Sequence, residues 1–416
     1  MAELSKLPQE MKVQILSRLP PKSLMRFKCI HRSWHALIRS PSFAAKHVFV
    51  SKHNKVSSTA TILFKRSVLD LNTDKKEILL SWFDLCDDNN YCVDHDDHLI
   101  PAMEDLHVPQ SMGLKRRDIW SGIEYIDMAC HCNGIICLTD YRKRVVLCNP
   151  AIKEFNLLPV SSLALSSADI TPTGYFTAAV GFGCDLESEI YKVVRIFYSA
   201  KEHNDNEVII HPPKAEVFSL VTGSWKEIKT DNLDKQSTNV WPVSTVCIYC
   251  KGILYWRGHE QQKVYLDVSY SYTDEDDTSG DEIDIYEDIE RIISFDIGSE
   301  TFHVINFPNG YYFRQKVLGL WNDSIAVSTC WCEDNPYIDI WVLDNICVEG
   351  SWINCLTVEP VVNFRSPLAF VVKSTDQSLW VAHDDCVLIL YDLIIGKFKY
   401  LPVDGCLSVT HKLFFM

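Results

Sequence analysis

The amino-acid sequence predicts an α+β multidomain chain. A small helical unit covers residues 1–50, and a mainly-β domain covers residues 51–416, read as a β-propeller of six to eight blades. Three observations carry this reading. Apolar stripes of helical period, punctuated by prolines, occupy only the first fifty residues. From about residue 60 the chain changes to short β-rich runs separated by turn residues. Those runs recur at roughly 40–60 residues, which is blade spacing.

The helices come first. Pro8 suits the first position of a helix, where its missing N–H costs nothing. Met11, Ile15, Leu16 and Leu19 then form one apolar stripe, and Leu19-Pro20-Pro21 ends it. A second helix is expected around Leu24, Phe27 and Cys29-Ile30, and a third around Trp34, Leu37 and Ile38. Ser40-Pro41 reads as N-cap and first residue of a further helix carrying Phe43. Helices this short cannot bury so many large side chains among themselves, so part of the apolar surface should face a partner. The alternative is a helical cap over the sheet domain, with these residues as internal core.

The β units follow. "CNGIICLTDYRKRVVLCNPAIKEFNLLP" (Cys132–Pro159), "CKGILYWRGH" (Cys250–His259) with "RIISFDIGSETFHVINFP" (Arg291–Pro308), and "DQSLWVAHDDCVLILYDLIIGKFKYLPV" (Asp376–Val403) share one pattern. Each has a strand, a hairpin turn, a strand ending in Asn-Pro or Asp, a second turn, and a strand closing in Leu-Pro or Phe-Pro. Weaker copies cover Lys192–Ile228 and Ser324–Val358. A small sheet with two apolar faces cannot bury them alone, whereas radial stacking buries both without long exposed edges. A β-sandwich is the competing architecture. "SVTHKLFFM" (Ser408–Met416) is expected to supply a strand that closes the ring.

Charge and cysteine content exclude several functions. The net charge is −15, yet residues 1–50 hold nine basic and two acidic side chains, leaving −22 on the remainder. Eight carboxylates and no Lys or Arg lie between Asp84 and Asp105, and ten between Asp274 and Glu290. Such a surface repels nucleic acid and attracts cationic proteins. The competing reading is solvated loops that aid solubility. The N-terminus has no secretory h-region and no stretch is long and apolar enough to span a bilayer, so an intracellular, cytoplasmic or nuclear chain is expected. The 16 cysteines are then expected mostly as buried small hydrophobes.

No catalytic chemistry is apparent. Cys130, Cys132, Cys137 and Cys148 lack the C-x2-C spacing of structural zinc sites, and strand alternation explains them more simply. Cys247 and Cys250 form a lone C-x-x-C between strands, away from any helix start. Gly181-Phe182-Gly183 lacks the third glycine of a dinucleotide loop and reads as a tight strand bend. Asp384-Asp385 and Asp274–Asp277 read as solvated carboxylates rather than a cation site. Asn133-Gly134 and Lys251-Gly252 read as turns needing positive φ. No metal and no cofactor are expected, and no nucleophile elbow or phosphate loop is present.

The opening pattern LPxEhhxxILSRLPxKSLhRFKChxxSWxxLIxSPxFxxxH, with h an apolar residue, resembles the plant F-box over about one tenth of the chain. His31 departs from the basic residue many relatives carry there, with Arg32 next to it. "CNGIICL", "NPxxxEFxxLP" and "GFGCDxxSxxYKVVRI" look like the F-box-associated domain of plant F-box proteins, a kelch-like ring. "LMRFKCI", "SPSFAAKH" and "GYYFRQKVLGLWNDSIAV" extend the resemblance to the S-locus F-box proteins of the rose family, nearest the brother group of apple and pear.

The resemblance implies docking on a Skp-family adaptor of a cullin-based ubiquitin ligase. The implied adaptor-facing residues are Leu7, Pro8, Ile15, Leu16, Leu19, Pro20, Leu24, Cys29, Ile30, Trp34 and Leu37. It implies a pollen-side factor that binds non-self pistil S-RNases, which are basic proteins, for ubiquitination. Target recognition is expected on four repeat-breaking stretches: Asp84–Arg117, Ser161–Thr177, Lys201–Pro213 and Tyr265–Glu290. The competing functions are a propeller enzyme with carboxylates around its channel and a glycan-binding receptor with exposed Trp residues on one face.

Overall fold

The computed structural model describes residues 8–53, 61–70, 75–84, 104–109, 112, 126–140, 144–161, 163, 176–203, 207–235, 238–265, 284–308, 315–330, 338–344, 351–358, 366–372, 377–382, 387–392, 397–402 and 414–415. Four helices open the chain: α1 (Gln9–Leu16), α2 (Pro21–Phe27), α3 (Arg32–Ile38) and α4 (Pro41–His53). The prolines place their boundaries. Pro8 stands one residue earlier than expected, as the cap of α1, while Pro21 and Pro41 begin α2 and α4. Ser40 caps α4, its Oγ accepting the Phe43 N–H at 3.3 Å. α2 stops at Phe27, so Cys29-Ile30 falls in the following turn rather than in the helix.

The strands follow as successive antiparallel meanders. The first unit holds β1 (Thr61–Asp70), β2 (Lys75–Asp84) and β3 (Glu104–Leu106). The second holds β4 (Ile126–Cys132), β5 (Ile135–Asp140), β6 (Val145–Asn149) and β7 (Glu154–Leu157). The third holds β8 (Phe176–Cys184), β9 (Tyr191–His203), β10 (Glu207–Ile210), β11 (Lys214–Ser219) and β12 (Ser224–Ile228). The fourth holds β13 (Asp234–Lys235), β14 (Thr238–Cys250), β15 (Ile253–Tyr265), β16 (Asp284–Asp296) and β17 (Thr301–Asn306). Next come β18 (Gln315–Trp321), β19 (Ser324–Cys330), β20 (Ile338–Leu343) and β21 (Trp352–Val358), then β22 (Ser366–Val372), β23 (Gln377–Ala382), β24 (Val387–Asp392) and β25 (Lys397–Pro402). Finally β26 (Phe414–Phe415) pairs antiparallel with β1 through Ile62 and Leu63, so a strand from the end of the chain completes the first sheet, as expected.

These strands form five hydrogen-bonded sheets, a propeller. The expected six to eight blades are corrected to five. The cause is local: β18 and β22 pair in parallel at Leu320–Val371 and Trp321–Val372, which merges two four-stranded meanders into one eight-stranded sheet.

The main core lies where the second, third and fourth units meet. Cys130, Cys137, Val180, Phe182, Val194, Trp256, Phe295 and Phe302 pack there. Two neighbouring cores join the first unit to the second and the fourth to β18–β21. The helices keep a core of their own, formed by Leu16, Leu24, Trp34, Ile38 and Phe43.

The glycines of "GFGCD" make no bend. Gly181 and Gly183 sit inside the nine-residue β8. A Cβ on Gly181 would stand 2.4 Å from Trp256 Cζ2, and one on Gly183 2.4 Å from Ile297 Cδ1. Close approach of the fourth unit is therefore what requires glycine here. The Trp256 indole N–H donates to the Val180 carbonyl at 3.3 Å and secures that approach. The turns behave as expected, with Asn133-Gly134 at φ 50° and 76° and Lys251-Gly252 at 47° and 84°.

Candidate functional site

Two surfaces concern function: the helical unit and the ends of the ring. In the helical unit the expected adaptor-facing residues divide by burial. Leu16, Leu24 and Trp34 are buried, with Leu19 and Leu37 packed partly against them. Phe27 lies 5.3 Å from the Trp34 ring, and His47 Nε2 is 2.9 Å from the Leu19 carbonyl oxygen, tying α4 to the end of α1. Pro8, Ile15, Pro20, Cys29 and Ile30 are exposed. Leu7 lies outside the described residues.

Leu16, Leu24 and Trp34, three of the expected adaptor-facing residues, pack inside the helical unit. Four short helices do assemble a small core, and it consumes the largest side chains. What remains outside is still apolar: Met11 is 49% exposed, Ile15 47% and Ile30 52%. Met11 and Ile15 are i and i+4 on α1, one patch on one helix face. His31 has a local role that the sequence reading missed. Its Nδ1 accepts the Ser33 N–H at 3.1 Å and caps α3.

On the ring, all but one of the described cysteines are packing residues. Cys130, Cys132, Cys137, Cys148, Cys184, Cys247 and Cys250 are buried, whereas Cys29 and Cys355 are exposed. Burial pushes the Cys130 and Cys137 thiols well up and Cys148 to about 12, which keeps them protonated and unreactive. Cys250 donates to the Asp323 carbonyl at 3.1 Å, and burial raises it to about 11. Trp34, Trp241 and Trp256 are buried, and Trp82, Trp225, Trp321, Trp341 and Trp352 are half-buried.

The charged groups of the ring interior are paired. Arg195 and Glu216 meet at 3.2 Å, both nearly fully buried, with the Phe197 and Trp225 rings 4.8 Å and 5.2 Å from the guanidinium. Burial lowers Arg195 to about 10 and raises Glu216. Burial alone would also raise Glu290, but Lys316 and Arg257 hold it below the ordinary carboxylate value. Arg291 donates to Glu260 at 2.7 Å. This corrects the reading of Asp274–Glu290 as one solvated loop: β16 begins at Asp284, and Glu290 is an interior ion-pair partner.

Three of the four expected recognition stretches fall largely outside the described residues, as do Asp274–Asp277 and Asp384-Asp385, whereas Lys201–Pro213 lies outside only at 204–206 and otherwise forms the β9–β10 pairing and the segment after it. Their flanks are strands. Lys201–His203 ends β9, Glu207–Ile210 is β10, Phe176-Thr177 begins β8, and Glu104–Leu106 is β3. No group of three or more His, Cys, Asp or Glu among the described residues could hold a metal ion. No described helix is long and apolar enough to cross a membrane.

The described residues form a small helical unit with exposed apolar side chains, joined to a β-propeller. Residues 4–46 match the F-box domain and residues 104–402 match the F-box associated beta propeller domain. The chain belongs to the F-box associated beta propeller family of plant F-box proteins. An F-box/kelch-repeat protein of Arabidopsis thaliana is 26% identical over 97% of this chain and 92% of its own length. The F-box protein CPR1 of the same plant is 23% identical over 97% of this chain and 86% of its own. Dipeptidyl peptidase 4 of Porphyromonas gingivalis aligns in structure over 71% of this chain and 48% of its own with a TM-score of 0.27 and 10% identity, too weak a likeness to bear on the fold. An F-box implies binding to a Skp1-type adaptor and, through it, a cullin, in a generally non-catalytic subunit.

Proposed function

We propose that this protein is the substrate-recognition subunit of a Skp-cullin-F-box ubiquitin ligase. Residues 1–50 hold the adaptor and residues 51–416 hold the substrate. The supporting observation is that Met11, Ile15 and Ile30 remain exposed and apolar on an F-box that already has a core of its own. Pro8, Ile15, Pro20, Cys29 and Ile30, with the half-buried Leu19 and Leu37 and with Leu7, meet the adaptor. Leu16, Leu24 and Trp34 act from beneath, by holding the helices in place. Catalysis belongs to the partner enzymes, and this chain contributes proximity between a bound substrate and activated ubiquitin.

The substrate we propose is a basic pistil S-RNase taken up by the pollen tube, with the chain acting in the cytosol there. The S-locus resemblance motivates this choice, and the −22 charge of residues 51–416 supports a cationic partner. The test is a reconstituted ligase containing the full chain, a Skp-family adaptor and a cullin, offered S-RNases of several alleles. Ubiquitin conjugates on some alleles and not on others are the expected result. No conjugate on any allele would reject this substrate while leaving the receptor role open.

A further inference from the structure

We draw no further inference here: the strongest candidate, the groove between α1 and α4 lined by Gln9, Glu10, Val13, Gln14 and Lys46 with Phe49 61% exposed one turn further along α4, is an open face of the helical unit, and nothing in the structure shows what covers it.

Discussion

Gly181 shows how one atom can decide packing. Its absent Cβ is the space taken by Trp256 and Leu254, so Gly181→Ala must displace a buried indole that is itself hydrogen-bonded. The expected cost is about 1–3 kcal/mol, read as a lower midpoint in urea unfolding. Gly223→Ala, with open space around it and φ 63°, should lose only the backbone share of about 1 kcal/mol. His131 carries a pH signature. Burial lowers its imidazole from 6.5 to about 4, so the folded state favours the neutral ring. Its stabilising contribution is complete above pH 6.5 and is lost as pH falls toward 4, up to about 3 kcal/mol across that window. His131→Phe should therefore flatten the fall in stability between pH 6.5 and pH 4, measured by chemical unfolding. The depressed Glu290 carboxylate adds its own loss only below about 4.5. Neither residue announced itself in the sequence. A glycine pair reads equally well as a bend or as a close approach, and the depth of one histidine depends on neighbours distant in the chain.

At the scale of elements the sequence was most legible where local chemistry decides. Prolines set the helix starts, Asn-Gly and Lys-Gly set the tight turns, and the recurring segments each fall within one meander. The closing strand was legible because an apolar "KLFF" has no other place to go. Tertiary pairing defeated the rest. Asp284–Glu290 is strongly acidic, yet β15 recruits it as a strand partner. The merging of two meanders rests on a two-residue parallel contact that no spacing reveals. The closure makes a direct prediction. Deleting residues 413–416 removes the pairing of Phe414 and Phe415 with Leu63 and Ile62, and leaves β1 as an open edge. The truncated chain should unfold several degrees lower and aggregate faster on warming, by calorimetry and light scattering. An unchanged melting temperature would mean that the ring does not depend on this strand.

For the whole molecule, the F-box has a buried apolar set and an exposed apolar set. The set implied by the resemblance contains both buried and exposed residues, because a surface anchor and a core residue are both large and apolar. Burial separates them. Leu16 is 1% exposed and Ile15, its neighbour, 47%. Leu16→Ala should cost about 2–5 kcal/mol of local stability and disorder the helices, so its loss of adaptor binding says little about contact. Ile15→Asp with Ile30→Asp alters only exposed positions and should leave the helical unit and the ring folded. The measurement that tests the central claim most directly is the affinity of this double variant for a purified Skp-family adaptor, by calorimetric titration, with circular dichroism as the folding control. The account predicts native helicity and affinity weakened by about thirtyfold or more, the scale of truncating an interface anchor. Wild-type affinity with native helicity would contradict it, because the exposed apolar patch would then not be the surface that joins this chain to the ligase.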